Sequence, residues 1–374
     1  MAEEKKEPRI ALIHDHLAQD GGAEKVLKVF SDMYPKAPIF TLLYEPNNAA
    51  KYFKNRTIQT SIIQRIPGGV KHYKWFMPFM PMAVEFFNLS TFDVVISDTS
   101  SFAKGVITSV KTPHICYCHT PTRYLWSDTH SYIEELPFSK YLKQLIALSL
   151  NNIRVWDRLA ADRVDFFIAN SQFIAKRIKK YYRRDSTVIY PPVETLFFKP
   201  QEEKGDYYLA GGRLVPYKRF DLVIEAFKIS GRKLKIFGDG PDRDRLHDLA
   251  KGFYNIELLG RVNDAEKADL YSGARVFVNP QEEDFGITMV EALASGTPVS
   301  AFVSGGAGEI ISDDKYGDLF TEQTVEAINA SLDRLDSEKR QALDCRSRAE
   351  DFSVERFERE VREYVAWAVE EHRK

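Results

Sequence analysis

The sequence predicts an α/β protein built from two doubly wound domains, and three observations predict it. Near the start an apolar run (10–13), a Gly21-Gly22 turn and a helical stretch (23–33) follow one another. The same order returns at 207–210, Gly211-Gly212 and the residues after Arg219. It is the opening unit of a Rossmann-like domain, whose ligand lies outside the carboxyl end of the first strand. Between the two occurrences stands Pro191-Pro192, a pair that interrupts regular structure. At 374 residues the chain is too long for one comfortable core and suits two, with expected domains at 1–192 and 193–352.

Composition narrows the function classes. Hydrophobic residues at 44% and charged residues at 28% describe a globular protein in water. A formal net charge of −2 supplies no basic field, so nucleic acid is not an expected partner. Three cysteines, with Cys116 and Cys118 close together, do not make a disulfide framework and fit a reducing cytoplasm. The first eight residues are charged and polar where a signal peptide needs an apolar run. No apolar run approaches the length of a membrane span.

Taken in order, 9–14 reads as the first strand and leads into His14-Asp15-His16. Gly21-Gly22 then lets backbone approach a diphosphate at the start of a helix. No further Cys or His stands at ligand spacing from the His-x-His, so no metal is expected there. Strands follow at 39–44, 57–63, 94–97 and 114–117. Within 66–87, Pro67, Pro78 and Pro81 exclude one straight helix. Lys71, Lys74, Trp75, Phe76, Phe79 and Met80 could form a basic aromatic surface for lipid head groups or a lipid-linked acceptor. Packing beneath the first sheet is the expected place for most of these aromatics. His119 falls at a strand's carboxyl end, on the ligand side. Ser171 caps a helix, 172–184, that carries Lys176, Arg177, Lys179, Lys180, Arg183 and Arg184. Such a face suits an anionic membrane, and equally an ordinary solvated helix.

The second half repeats the pattern. Strands are expected at 207–210, 233–237, 256–259 and 274–278, with Gly260-Arg261-Val262 ending the third. Neither glycine loop has the Walker spacing, which counts against an NTPase. Asp242-Arg243-Asp244 sits in a helical first turn and reads as a capping feature rather than a metal pair. Gly305-Gly306-Ala307-Gly308 forms a third glycine loop, and 324–335 and 337–352 have helical period. A last helix opens at Ser353, and its apolar residues Phe357, Val361, Tyr364, Val365 and Val369 need a partner surface.

The stretch 280–298 organises the rest. Gly286 opens a helix that Gly296 and Pro298 close, and the N–H groups of Gly286, Ile287 and Thr288 favour an anion. Glu283 precedes that helix and Glu291 lies in its early turns. A phosphate would repel these carboxylates unless they bind hydroxyls instead. The combination suits a sugar on one side of a diphosphate and a ribose on the other.

Glu283, seven residues, then Glu291, with Phe285, Gly286 and the ending Glu-Ala-x-Ala-x-Gly-x-Pro-Val, resembles the signature of retaining glycosyltransferases of family 4. The Tyr-x-His-Thr-Pro run at 117–121, the segment 152–193 and the loop 211–218 extend the likeness, and the chain is similar to bacterial family 4 mannosyltransferases that build surface polysaccharides. The resemblance implies the GT-B fold, two Rossmann-like domains facing across a cleft, with the tail 353–374 crossing back to the first. It implies a metal-independent hexosyltransferase without cofactor, moving mannose from GDP-mannose to a glycan or lipid-linked acceptor, in the cytoplasm or at the inner face of the membrane. His119, Arg213, Lys218 and Glu283 would act in catalysis. Gly21, Gly22, Arg261, Val262, Phe285, Gly286, Ile287, Thr288 and Glu291 would join Arg213, Lys218 and Glu283 in holding the donor. Glucosyl, galactosyl or N-acetylglucosaminyl transfer from a UDP-sugar stays open. So does a nucleotide-sugar epimerase, for which Asp98 is the nearest acid or base, and a non-enzymatic nucleotide-sugar-binding regulator.

Overall fold

The computed structural model describes residues 8–18, 21–46, 52–135, 139–338 and 340–374. The polar start 1–7 and the side chain of Lys74 lie outside the described residues. The chain divides into two compact units, one of Met1–Tyr190 with Glu358–Lys374 and one of Pro191–Phe357.

Among the described residues the first unit holds a seven-stranded sheet. Its strands are β1 (Ile10–His14), β2 (Ile39–Thr41), β3 (Ile58–Thr60), β4 (Val94–Thr99), β5 (His114–Cys118), β6 (Phe166–Ala169) and β7 (Thr187–Val188). The order is β3-β2-β1-β4-β5-β6-β7, and every pairing is parallel. Order reverses between β1 and β4, where Ile13 pairs with Ser97 and His14 with Asp98. All five residues of β1 and all six of β4 are buried, as expected of parallel strands covered on both faces.

The second unit repeats the plan among its described residues with β8 (Tyr207–Gly211), β9 (Lys233–Phe237), β10 (Ile256–Gly260), β11 (Phe277–Asn279), β12 (Val299–Phe302) and β13 (Gly317–Phe320). The order is β10-β9-β8-β11-β12-β13, again all parallel. Phe220, Val223, Ile224 and Phe227 of the helix Phe220–Ser230 pack on this sheet with Leu332 of Val325–Ser337. The tail forms the helix Val354–His372, whose buried Phe357, Val361 and Ala368 make its apolar stripe. Tyr364 donates to the carbonyl of Phe167 at 3.3 Å, within the first unit.

Several expected elements are shorter than the apolar runs suggested. The strand at 57–63 stops at Thr60, because Ser61 caps a 3₁₀ turn, Ile62–Arg65, through the N–H of Ile63. The helical stretch 337–352 is Ala342–Glu350. Asp242 does precede the helix Arg243–Ala250, but its side chain makes no cap bond. It clamps the Arg245 guanidinium with both oxygens, at 2.6 and 2.8 Å.

The proline-rich segment becomes a 3₁₀ helix, Tyr73–Phe79, and then a short α-helix, Met80–Glu85. Tyr73, Phe76 and Met77 pack on the core while Met80 is buried. Packing beneath the sheet fails for Trp75, which is 69% exposed, and for Phe79 at 55%. A 3₁₀ turn of three residues puts Tyr73 and Phe76 on one side and leaves Trp75 on another; it does not account for Phe79, which ends the 3₁₀ helix where Met80–Glu85 begins. Met82 and Phe86 are exposed as well.

The helix Gln172–Tyr182 keeps only part of its basic face for solvent. Ser171 caps it at the N–H of Ile174. Arg177 is buried and donates to Ser127 Oγ at 2.6 Å, while Arg184 bonds the carbonyls of Ala161 and Asp165. Lys179 pairs with Asp185.

Candidate active site

In the second unit the site grows from the ends of β8 and β11. The loop after β8 closes with the 3₁₀ turn Pro216–Lys218, and Arg219 beyond it takes the left-handed φ of 55°. Lys218 Nζ thereby donates to Glu283 Oε1 at 2.8 Å. Gln281, buried beside Asn279, donates to the same oxygen at 2.7 Å. Sequence spacing gives no sign of Gln281, since only its strand-end position after β11 aims it at Glu283. Arg213 is exposed on the Lys218 loop.

Glu283 is held in place through its backbone. Its carbonyl accepts from Gly306 N–H at 2.8 Å, and a Cβ at Gly305 would stand 2.0 Å from that carbonyl oxygen. Gly305 also has φ +84°. The third glycine loop is therefore a seat for the Glu283 backbone.

Gly286, at φ 112°, precedes the helix Ile287–Ala294, and no side chain caps that helix. Ile287 and Thr288 are partly exposed at its start. Phe285 is turned inward, 3% exposed and edge-on to Phe352 at 5.4 Å. Glu291 is buried: Lys267 Nζ donates to Oε1 at 2.9 Å and Tyr271 Oη to Oε2 at 3.3 Å. Lys267 and Tyr271 come from the helix Asp264–Gly273, and no motif in the sequence ties them to Glu291. Arg261, exposed, and Val262 lie between β10 and that helix, which Asn263 and Glu266 start with a capping box.

In the first unit the ends of β1, β4 and β5 meet at Asp98, 1% exposed. His119 Nε2 donates to Asp98 Oδ1 at 2.6 Å and His14 Nδ1 to Oδ2 at 2.9 Å. A carboxylate only accepts, so each ring carries its proton on the nitrogen facing Asp98. His14 Nε2 also stands 3.9 Å from Glu24, buried in the first turn of the helix Gly22–Met33 that follows Gly21. Burial alone would discharge His14, but the hydrogen bonds and charges of Asp98 and Glu24 outweigh it and raise its pKa to about 10. Burial pushes Asp98 up while His119 and His14 pull it down, with a net shift below the ordinary carboxylate value. Glu24 is likewise lowered: burial acts against ionisation, and His14 overcomes it. Among the described residues no group of three or more His, Cys, Asp or Glu is placed to hold a metal ion. No helix among them is long and apolar enough to cross a membrane.

Comparison with known proteins covers most of the chain. Residues 20–196 match Glycosyltransferase Family 4, and residues 193–352 match Glycosyl transferases group 1. An uncharacterized glycosyltransferase of Methanocaldococcus jannaschii is 32% identical over 46% of this chain and 49% of its own length. The chain thus spans about half of that relative. The alpha-1,3/1,6-mannosyltransferase ALG2 of Dictyostelium discoideum is 22% identical over 88% of this chain and 90% of its own. The crystal structure of Anabaena HepE in complex with UDP and glucose superposes with a TM-score of 0.70 at 18% identity, covering 96% of this chain and 99% of that one. Solved neighbours of this kind share the fold, two Rossmann-like domains of GT-B type.

Proposed function

Because this chain belongs to glycosyltransferase family 4, we propose that it transfers a hexose, mannose from GDP-mannose, with retention of anomeric configuration. The observation that carries this is the Lys218–Glu283 pair beside the helix start at Gly286. It places a cation, a hydroxyl-binding carboxylate and backbone donors on neighbouring loops of one unit. A departing diphosphate gains negative charge as the glycosidic bond breaks. Lys218 and Arg213 neutralise that charge together with the helix terminus, each preorganised donor contributing on the order of 2.7–4 kcal/mol. Glu283 binds the donor sugar and Glu291 the ribose hydroxyls. Arg261 and Val262 line the base. In the first unit His119, oriented by Asp98, acts in catalysis. The leaving phosphate oxygen accepts the acceptor's proton on the same face, so no covalent nucleophile and no metal are needed.

Mannose rests on the likeness to ALG2, named a mannosyltransferase. A UDP-hexose donor is the second choice, suggested by the UDP in the Anabaena structure, a likeness of fold. The acceptor is a glycan or a lipid-linked glycan, and the enzyme works in the cytoplasm at the inner face of an anionic membrane. Exposed Trp75, Phe79, Met82 and Phe86 supply the apolar contact. Glu85, the acidic residue within 66–87, faces inward to Trp156 and Arg163 at 2.8 and 2.7 Å. Lys71 is left to meet anionic head groups. An epimerase would need a free acid or base in the first unit, and Asp98 is engaged by two histidines.

A melting-temperature panel of GDP- and UDP-sugars tests the donor, since a ligand at 100 times its Kd adds about 2.7 kcal/mol. GDP-mannose should give the largest rise, and transfer should survive excess EDTA. A donor isomerised without any acceptor would establish the epimerase instead.

A further inference from the structure

Along the run that leaves β11, alternate residues bring polar side chains to one place. Asn279 ends the strand, Gln281 follows two residues on and Glu283 two residues after that. Asn279 and Gln281 are each 1% exposed. Gln281 Nε2 donates to Asn279 Oδ1 at 2.8 Å and to Glu283 Oε1 at 2.7 Å. Lys218 Nζ donates to the same Glu283 oxygen at 2.8 Å. One carboxylate oxygen therefore accepts from a cation and from a neutral amide.

The two donors are not equivalent. Lysine is a point charge on a flexible four-carbon stem, and Lys218 is the cation that the proposed reaction assigns to the leaving diphosphate. As the phosphate oxygens gain charge they draw this ammonium, and its hold on Glu283 weakens. An amide has no net charge and answers a phosphate far less. The backbone around Gln281 is also tied down. Gln323 Nε2 donates to the carbonyl of Pro280 at 2.7 Å, Ser304 Oγ donates to Glu282, and Gly306 N–H donates to the carbonyl of Glu283 at 2.8 Å.

The amide can point only one way. An ionised carboxylate accepts and does not donate, so the group turned to Glu283 must be the NH₂. The reverse orientation would set two acceptor oxygens against each other. The orientation taken leaves Gln281 Oε1 buried and without a hydrogen-bond partner among the described residues. A buried acceptor left so is costly, and the bond to Glu283 is what offsets it.

We propose that Gln281 is a positioning residue of the donor-sugar site, holding Glu283 toward the sugar hydroxyls while Lys218 turns to the diphosphate. This deepens the glycosyltransferase proposal and rests on it for the sugar and phosphate roles. The test uses two variants of the full chain: Gln281→Leu, close in size and unable to donate, and Gln281→Glu, of the same shape. Calorimetry with GDP reads the nucleotide, and hydrolysis of GDP-mannose without acceptor reads the sugar; UDP and UDP-glucose replace them if wild type hydrolyses that donor instead. Gln281→Leu should bind the nucleoside diphosphate within about twofold of wild type, while kcat/KM for hydrolysis falls roughly ten- to a hundredfold, the worth of one charged hydrogen bond. In Gln281→Glu the introduced carboxyl donates only while protonated, so activity relative to wild type should fall as pH rises from about 5 to about 8. That variant carries the test alone should Gln281→Leu melt early. Hydrolysis by Gln281→Leu within about threefold of wild type, diphosphate affinity lost along with hydrolysis, or a Gln281→Glu profile parallel to wild type would overturn the role. The transferase reading fails separately: wild type that hydrolyses neither donor overturns it and this role with it, whereas active wild type with unaffected variants removes Gln281 alone.

Discussion

Glu291→Gln separates a ligand role from a structural one. The carboxylate is 3% exposed and already accepts from Lys267 and Tyr271. The amide keeps the shape but presents a donor group where an oxygen had accepted, so one bond is lost and Lys267 keeps only the weaker counter-charge of Asp264 at 4.0 Å. A charge-assisted hydrogen bond contributes about 1.5–3 kcal/mol. Loss of the ribose bond should weaken nucleotide binding roughly ten- to a hundredfold. Loss of the internal bond should destabilise the second unit by about 1–3 kcal/mol, a drop in Tm on the order of 2–4 °C per kcal/mol at this size. The double variant Lys267→Met, Glu291→Gln removes the under-compensated cation and should recover much of the Tm while leaving affinity low. Calorimetric Kd for the nucleoside diphosphate and thermal melts read the two effects apart. If Glu291→Gln lowers Tm while Kd stays within twofold of wild type, Glu291 is an internal counter-ion and the ribose lies elsewhere.

Four further outcomes are expected. Lys218→Ala should cut turnover by about a hundredfold or more, measured as kcat/KM at unchanged melting temperature, because it removes a preorganised cation from the leaving group. Asp157→Asn should cost about 3–5 kcal/mol in denaturant unfolding, since Lys104, fully buried, loses its counter-charge. His14 has a folded pKa of about 10 against 6.5 ordinarily. Its contribution to stability is therefore whole below pH 6.5 and lost as pH rises toward 10, so that wild type should lose more Tm than His14→Gln between pH 7 and 10. Anionic vesicles of phosphatidylglycerol should sediment the wild type at low salt, and Trp75→Ala with Phe79→Ala should abolish this; neutral vesicles binding equally well would remove the electrostatic part.

Five of the seven strands described in the first sheet and four of the six in the second were legible, because a parallel strand buried on two faces must be a short apolar run and a tight strand-to-helix turn favours glycine; β6, β7, β12 and β13 were not among the expected strands. Strand ends were less legible, as at Thr60, where a serine cap competes with an apolar run for the next residues. Glu283 and the helix start at Gly286 stood out in the sequence because they share one local motif, and Lys218 because it closes a second, the loop 211–218. Their partners did not: Gln281, Lys267 and Tyr271 are ordinary residue types whose proximity is created only by the fold. Most of Trp75, Phe76 and Phe79 were expected beneath the sheet, but of the three Phe76 alone packs there, because a 3₁₀ turn followed by an α-helix sets their directions, which apolar content alone does not reveal.

Asp98 shows what such long-range proximity does to chemistry. Read from the sequence it is a carboxylate at a strand's end, available as an acid or a base. In the fold it joins the ends of three strands, 84 residues from His14 and 21 from His119, and both rings donate to it. A carboxylate lowered by two imidazoles is a poor proton acceptor at neutral pH, and one buried at 1% exposure is out of reach of a substrate. What it can do is fix a ring. With Nε2–H directed at Asp98, His119 presents Nδ1 on its other side, and the partly exposed imidazole is held in one tautomer. The same network places Glu24 at the start of the helix behind Gly21-Gly22, where its negative charge already answers the helix dipole. Any diphosphate approaching that turn meets a carboxylate paired with a protonated His14, so the charge balance there is set by His14. The glycine pair in the first unit and the Lys218 loop in the second, alike as sequence, are therefore unlike as electrostatic sites, which is why the leaving phosphate is proposed at the second.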